Sequence, residues 1–436
     1  MPAPVLPILT YDGSGYKSFV DRHISYRVDE NGTAEIYKIT NEIVNDVKNN
    51  GDQALFKWSA KFDCDLIDAS NVRVSQHEID EACGKVEPEL QKIFCKAIDR
   101  IYDFHKKQKT NGWIDTSANG EILGQIVRPI DSCGIYVPGG TAAYPSSVLM
   151  TVVPAKTAGV KRVAVASPCG RDGKIPPVTL VAAKVSGVDE IYKVGGAQAI
   201  AAFAYGTESI KKTDKIMGPG NSYVMTAKRI VYGQAGIDSM AGPSEIAIIA
   251  DSTANPVFVA ADMLSQAEHD ARAKSVLFTD SPMLAEKVSY ELVKQTKKLK
   301  REKIISESLN QNGQIILTDT IAEAVELANA MAPEHLAVCT AEPLGLLTGI
   351  RHAGSVFIGN YSPEALGDYM AGPSHVLPTE STARFFSPLS VDDFVKKTSL
   401  ISFSKEALER LRKDIETFSN AEGFDAHANA VSVRFE

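Results

Sequence analysis

Gly134-Ile135-Tyr136-Val137-Pro138-Gly139-Gly140 opens the part of the chain that decides its fold. A short strand-like run ends in a proline–glycine turn, and the same order of features recurs three times. Val163-Ala164-Val165-Ala166 precedes Ser167-Pro168, Glu190-Ile191-Tyr192-Lys193-Val194 precedes Gly195-Gly196, and Lys215-Ile216-Met217 precedes Gly218-Pro219-Gly220-Asn221. Helical stretches near 146–159, 177–187, 197–205 and 222–232 lie between and after these runs. Strand–helix alternation with short connections makes a parallel sheet covered by helices. Such sheets bind ligands at the carboxyl ends of their strands, where backbone amides and helix N-termini are exposed. A nucleotide crevice is therefore one expectation. No Gly-x-Gly-x-x-Gly fingerprint occurs, however, and Gly218–Asn221 serves equally as a plain turn.

Downstream the pattern repeats. Ile246-Ala247-Ile248-Ile249, Ser275-Val276-Leu277-Phe278, Gln314-Ile315-Ile316-Leu317, His335-Leu336-Ala337-Val338 and Ser355-Val356-Phe357-Ile358 read as strands, with helices near 256–269, 283–297, 320–331 and 342–350. Upstream, residues 35–110 read as helices: Ile36, Ile39, Ile43, Val44 and Val47 recur at helical spacing. From about 386 the tail reads as helical again. Ser390 and Asp393 make a capping pair, and Leu408, Leu411, Ile415 and Phe418 form an apolar stripe. So short a segment cannot bury that stripe alone, so it must pack on the body or on another subunit.

A chain of 436 residues is too long for one hydrophobic core, which implies two or three domains. Its 44% hydrophobic and 23% charged residues are ordinary for a soluble globular protein. A net charge of −8 argues against a nucleic-acid partner, and Lys297-Lys298-Leu299-Lys300-Arg301 reads as a solvated helix end. Six scattered cysteines without Cys-x-x-Cys spacing fit reduced thiols in the cytoplasm. The Met1-Pro2-Ala3-Pro4-Val5-Leu6-Pro7 start shows no signal peptide. No apolar run approaches the ~18–20 residues of a membrane span.

Four polar clusters interrupt this apolar frame: Gln266-Ala267-Glu268-His269, Pro333-Glu334-His335-Leu336, Gly367-Asp368, and Glu422-Gly423-Phe424-Asp425-Ala426-His427. Together they hold imidazoles, carboxylates and an amide, the inventory of a metal site plus a general base. Gln266 and His269 lie three apart on a helix capped by Asn255 and Pro256, so they share one face. Glutamine is an uncommon zinc ligand, and a polar helix face explains the pair as simply. Glu334 beside His335 suits proton transfer, although His335 opens a strand rather than closing one. Asp368 and His375 share a long glycine- and proline-bearing loop of the kind that carries function, and composition does not choose between them as ligands. Glu422 and His427 are five apart, not an ideal spacing for one helical face. Judged singly, each cluster reads more simply as surface or core.

Judged jointly, the segments resemble the histidinol dehydrogenase family from about residue 30 to the C-terminus. The resemblance rests on Gly134–Gly140, Val194-Gly195-Gly196-Ala197-Gln198-Ala199-Ile200, Gly218–Asn221, Ala241-Gly242-Pro243-Ser244-Glu245, Gln266–Asp270, Ala332–Leu336, Ala371-Gly372-Pro373-Ser374-His375-Val376-Leu377-Pro378 and Glu422…His427. The blocks keep the family's order and similar spacings. The resemblance implies oxidation of L-histidinol to L-histidine through L-histidinaldehyde, the last steps of histidine biosynthesis. Two NAD+ would be used, with one Zn2+ per subunit. Gln266, His269, Asp368 and His427 match its zinc ligands, the last supplied by the partner in a homodimer. His335 matches the base and Glu334 the residue that activates water. Ser244, Gln266, His269, His335, Asp368, Glu422 and His427 match substrate positions, while Tyr136, Gln198 and Asn221 match NAD positions. Thr141 and Glu380-Ser381-Thr382 look less usual but fall outside these roles.

The implied fold is α/β: two tandem Rossmann-like parallel β/α domains, incomplete dinucleotide folds, with helical N- and C-terminal extensions. Residues 1–30 would be an arm, 31–130 plus 245–385 a first domain carrying most zinc and catalytic residues, 131–244 a second, NAD-binding domain, and 386–436 a helical dimerisation tail. One rival is a paralogous zinc/NAD alcohol dehydrogenase acting on another polar alcohol, such as a sulfonated diol. Another is a non-catalytic protein in which zinc only staples the dimer.

Overall fold

The computed structural model describes residues 6–25, 30–139, 143–239 and 242–436. Gly140, Thr141 and Ala241, and parts of the 1–30 arm, lie outside the described residues. Two parallel sheets organise the chain. The five-stranded sheet runs in the order Glu190–Tyr192, Arg162–Ala166, Ser132–Tyr136, Lys215–Met217 and Gly236–Ile237. The six-stranded sheet runs in the order Ile8–Thr10, Gly313–Leu317, Lys274–Thr279, Glu245–Ala250, His335–Cys339 and Ser355–Ile358. In each series the first strand is central. The chain steps outward twice on one side, then crosses to the other, which is the doubly wound pattern of the Rossmann-like fold expected from the sequence.

Strands Glu245–Ala250, Lys274–Thr279 and His335–Cys339 are buried at every residue. Helices cover both faces of the sheet, so these strands read as near-continuous apolar runs. Ile246, Ile248, Leu264 and Leu277 fill one face, and Ala247, Ile249, Phe278 and Leu327 the other. The N-terminal arm anchors here: Ile8–Thr10 extends the sheet edge, and Phe19 packs into the second of these clusters.

Packing redraws one expected grouping. Val47, Leu55, Trp58 and Ile101, from helices within 30–105, share a core with Ile135, Val165, Ile200 and Phe203 of the five-stranded half. The grouping of 31–130 with 245–385 therefore does not match how these helices pack. An amphipathic stripe demands burial but does not name the surface that buries it. Gly51 (φ 52°) breaks the long segment Glu30–Phe62 into two helices.

The tail also differs. The expected helical run from 386 is interrupted by strand Val395–Phe403, antiparallel to Glu121–Pro129, which in turn pairs with Trp113–Thr116. Ser390 and Asp393 do form a capping box, but on the short 3-10 turn Val391–Phe394. Helices Lys405–Ala421 and Asp425–Ser432 then pack chiefly on each other. Phe418 remains 70% and Phe424 52% exposed. The helix expected near 342–350 is only the 3-10 turn Pro343–Leu346, and helix Glu302–Asn312 was not anticipated.

Candidate active site

The chain places Glu334 and His335 by stopping a helix. Ile321–Met331 ends at Ala332, which takes a left-handed conformation (φ 51°), and Pro333 cannot continue the helix. The next two side chains fall at the amino end of strand His335–Cys339. Register pairs His335 with Ile246 and Lys274 with Glu245, so Ser244, Glu245, Lys274, Glu334 and His335 share the amino edge of the six-stranded sheet. This is the opposite edge from the one the carboxyl-end rule favours.

One residue's backbone orients the pair. Glu245 N–H donates to Glu334 Oε2 (2.8 Å), and the Glu245 carbonyl lies 3.0 Å from His335 Nδ1. The carbonyl can only accept, so Nδ1 carries the proton and a neutral His335 leaves Nε2 as the acceptor. Burial works against protonation of His335, but Glu334, Glu364 and Asp368 outweigh it and raise its pKa to about 10. A dication among these carboxylates would offset their charge and bring the imidazole back toward neutrality.

Facing Nε2 is a donor cluster. Ligand atoms of His269, Glu364 and Asp368 lie within 4.8 Å of one another. Helix Pro256–Ala267, capped by Asn255 Oδ1 on Val257 N–H (2.9 Å), delivers Gln266 and, just past its end, His269. Gln266 is fully buried, and neither amide atom has a hydrogen-bond partner among the described residues. An orphaned buried amide costs roughly 1–3 kcal/mol. A cation bound by its oxygen would offset part of that, so the residues present fit a metal ion. Nitrogen and oxygen donors in this mixture suit zinc.

Glu364 was not singled out by the motifs. It lies four residues before Asp368 on helix Glu364–Tyr369, so both face the cluster. Its Oε2 accepts from Ser265 Oγ (3.0 Å), while Oε1 has no hydrogen-bond partner among the described residues and lies 3.8 Å from His335 Nε2. Burial, then Asp368, pushes Glu364 up to about 7. The spacing to Asp368 was the available signal, hidden because the segment read as a loop. His375 joins as well. Its Nδ1 lies 3.4 Å from Asp368 Oδ1, so the two side chains between which composition does not choose are in contact. Burial opposes ionisation of Asp368, but His375 and then the other imidazoles hold it down at about 2.

Glu422 and His427 are exposed on the tail, which packs chiefly on itself, and the structure does not bring them to this cluster within one chain. Ser244 is half-buried, and its carbonyl accepts from Lys274 N–H (3.0 Å).

Tyr136, Gln198 and Asn221 sit at the carboxyl edge of the five-stranded sheet, as expected. Tyr136 ends its strand, and its hydroxyl accepts from Gly196 N–H (3.1 Å); burial pushes this phenol up to about 12. Gln198 Nε2 donates to Asp63 Oδ2 (3.0 Å), which also accepts from Gly195 N–H (3.1 Å). These two residues shape the Gly195-Gly196 turn. Asn221 is exposed and caps helix Ser222–Val231 through Tyr223 and Val224 N–H. A Cβ on Gly218 (φ 105°) would meet the Tyr136 carbonyl at 2.2 Å, so the close approach of these two strand ends requires glycine.

Bonds tie the halves together: Ser374 Oγ donates to the Met150 carbonyl (2.9 Å), and Arg272 reaches Ser222 (3.2 Å). Under the pair, Lys274 and Glu245 are both buried, and the charges of Glu245 and Glu380 counter the downward effect of burial on Lys274. Lys274→Met leaves those carboxylates without that cation. It is expected to lower unfolding free energy by about 3 kcal/mol in urea titration, most of which returns when Glu245→Met is added.

Dinucleotide-type topology in both halves, with an adjacent carboxylate–imidazole pair and a cluster of metal-ligating side-chain types at one sheet edge, is the architecture of an α/β dehydrogenase. Comparison narrows the class. Residues 27–435 match the sequence model described as histidinol dehydrogenase. Histidinol dehydrogenase of Heliobacterium mobile is 52% identical over 395 residues, 91% of this chain and 92% of that protein. That of Clostridium acetobutylicum is 51% identical over 403 residues, 92% and 93%. The crystal structure of histidinol dehydrogenase from Elizabethkingia anophelis superposes with TM-score 0.92 at 38% identity, covering 99% of this chain and 98% of that one. The chain belongs to the histidinol dehydrogenase family.

Proposed function

We infer that this protein oxidises L-histidinol to L-histidine through L-histidinaldehyde, in histidine biosynthesis. The observation that carries the reading is the juxtaposition of His335 Nε2 with the donor cluster. A proton acceptor and a substrate anchor are then available on adjacent atoms of one amino alcohol. The relatives' shared name favours histidinol over the sulfonated diol.

Gln266, His269 and Asp368 would hold Zn2+, with His427 arriving from the partner subunit of a homodimer. When bound, the ion anchors and orients the nitrogen donors of the substrate, and its role is chiefly that of a template. NAD+ would bind at the carboxyl edge marked by Tyr136, Gln198 and Asn221 and accept the hydrides. His335 Nε2 takes the hydroxyl proton in the alcohol step. Glu334, fixed by Glu245 N–H, takes a proton from the water that attacks the aldehyde, giving the hydrate needed for the second oxidation. Ser244 and the partner's Glu422 would complete the substrate contacts. Six free cysteines and a biosynthetic role support the cytoplasm as its location. Among the described residues, no helix is long and apolar enough to cross a membrane.

Mixing the pure protein with histidinol and NAD+ tests the reading. The expected yield is two NADH per histidinol, lost on zinc chelation and restored by added Zn2+. One NADH, or activity confined to other alcohols, would indicate a paralogue. Tight zinc with no NADH would indicate a structural staple.

A further inference from the structure

The turn at Glu380-Ser381 is strained. Both residues adopt left-handed backbone conformations, with φ of 51° and 63°. Such conformations cost on the order of 1–3 kcal/mol each outside glycine and persist only where surroundings impose them. The surroundings here are the segment that enters strand Glu245–Ala250. Glu380 N–H donates to Glu245 Oε1, and Thr379 Oγ1 accepts from Gly242 N–H. A Cβ on Gly242 would fall 2.5 Å from Glu380 Cδ, so the two segments are in close contact. Ser381 Oγ donates to the Met331 carbonyl (2.8 Å), which ties the turn to the helix end before Glu334.

The Glu245 carboxylate is buried and takes no part in the proton transfers above. Burial raises its pKa to about 7, opposed by Lys274 and by the Glu380 N–H. The same residue's N–H and carbonyl hold Glu334 and His335. A buried carboxylate gripped on one side and a peptide gripping both proton-moving groups on the other belong to one residue.

We propose that Glu245 is a positioning residue: its carboxylate, held by the left-handed Glu380 turn, locks its own peptide in the place that orients Glu334 and His335. It acts through the peptide and touches no substrate. The inference rests on the reading of Glu334 and His335 as the groups that move protons. A displacement of about 1 Å at such groups costs about 100-fold in rate.

Three full-length, zinc-loaded variants test it against wild-type protein. Glu245→Gln keeps an acceptor for the Glu380 N–H and is expected to hold kcat within about threefold. Glu245→Ala removes it and is expected to lower kcat about 100-fold, with KM for histidinol and NAD+ changed less than about threefold. Should Glu245→Ala not fold, Glu245→Met with Lys274→Met replaces the buried pair by apolar side chains, a change that proteins often tolerate. It removes the same acceptor and is expected to show the same kcat loss at wild-type zinc content. Wild-type kcat in either folded variant lacking the acceptor overturns the proposal. So does a Glu245→Gln loss equal to that of Glu245→Ala. Absence of histidinol oxidation in wild-type protein would instead overturn the underlying reading.

Discussion

Replacing Glu334 with glutamine is expected to halt the reaction between its two oxidations. The glutamine oxygen can still accept from Glu245 N–H, so the backbone around the pair should keep its place. What disappears is a carboxylate 3.5 Å from His335 Nδ1, and with it the proposed base for the attacking water. With histidinol, single-turnover NADH should fall from two toward one per site. With histidinaldehyde supplied directly, kcat should fall about 1,000-fold, within the usual range for loss of a positioned base. The alcohol step should suffer less, because Nε2 still accepts the hydroxyl proton. Removing Glu334 also removes the leading influence that raises His335, so the imidazole should titrate lower in the variant. Two NADH at full rate would refute the assignment. Equal losses in both steps would make Glu334 a support for His335 and not a separate base.

The legible parts of this structure were those in which burial acts on every residue. Ile246–Ile249 and Val276–Phe278 could be read because strands covered on both faces tolerate little polar substitution. Val395-Lys396-Lys397-Thr398-Ser399-Leu400-Ile401-Ser402-Phe403 could not, because an exposed edge strand with two lysines looks like a solvated segment. Helix Glu302–Asn312 starts at Arg301, which makes no side-chain cap, so it lacked a start signal. In the candidate site, Gln266, His269, Glu334, His335 and Asp368 were singled out by the resemblance of their motifs, in order and spacing, to the histidinol dehydrogenase family, but the Glu245 peptide that orients two of them leaves no such mark. Backbone hydrogen bonds are available to every residue type, and only topology says where they point. Glu364 was overlooked for a different reason: its helix is six residues long and lies inside a loop.

A subunit-mixing experiment should give the largest gain in activity. Within one chain the tail helices pack on each other, leave Phe418 and Phe424 exposed, and keep Glu422 and His427 apart from the donor cluster. An exposed aromatic stripe on a helical tail calls for a covering surface, and a twofold-symmetric dimer offers one by exchanging tails. Asp368→Ala and His427→Ala should each abolish activity alone, because every site in either homodimer lacks one donor. Dissociated and reassociated together at equal amounts, half the dimers carry one chain of each kind. If tails cross between subunits, one site in each mixed dimer combines the intact body of the His427→Ala chain with the intact tail of the Asp368→Ala chain. Activity should return to about a quarter of the wild-type rate. If His427 served its own chain, both sites of the mixed dimer would stay broken and no activity would return. Zinc content gives an independent readout. The mixed sample should regain tightly bound zinc in the same proportion, since the restored site is the only one with every proposed donor.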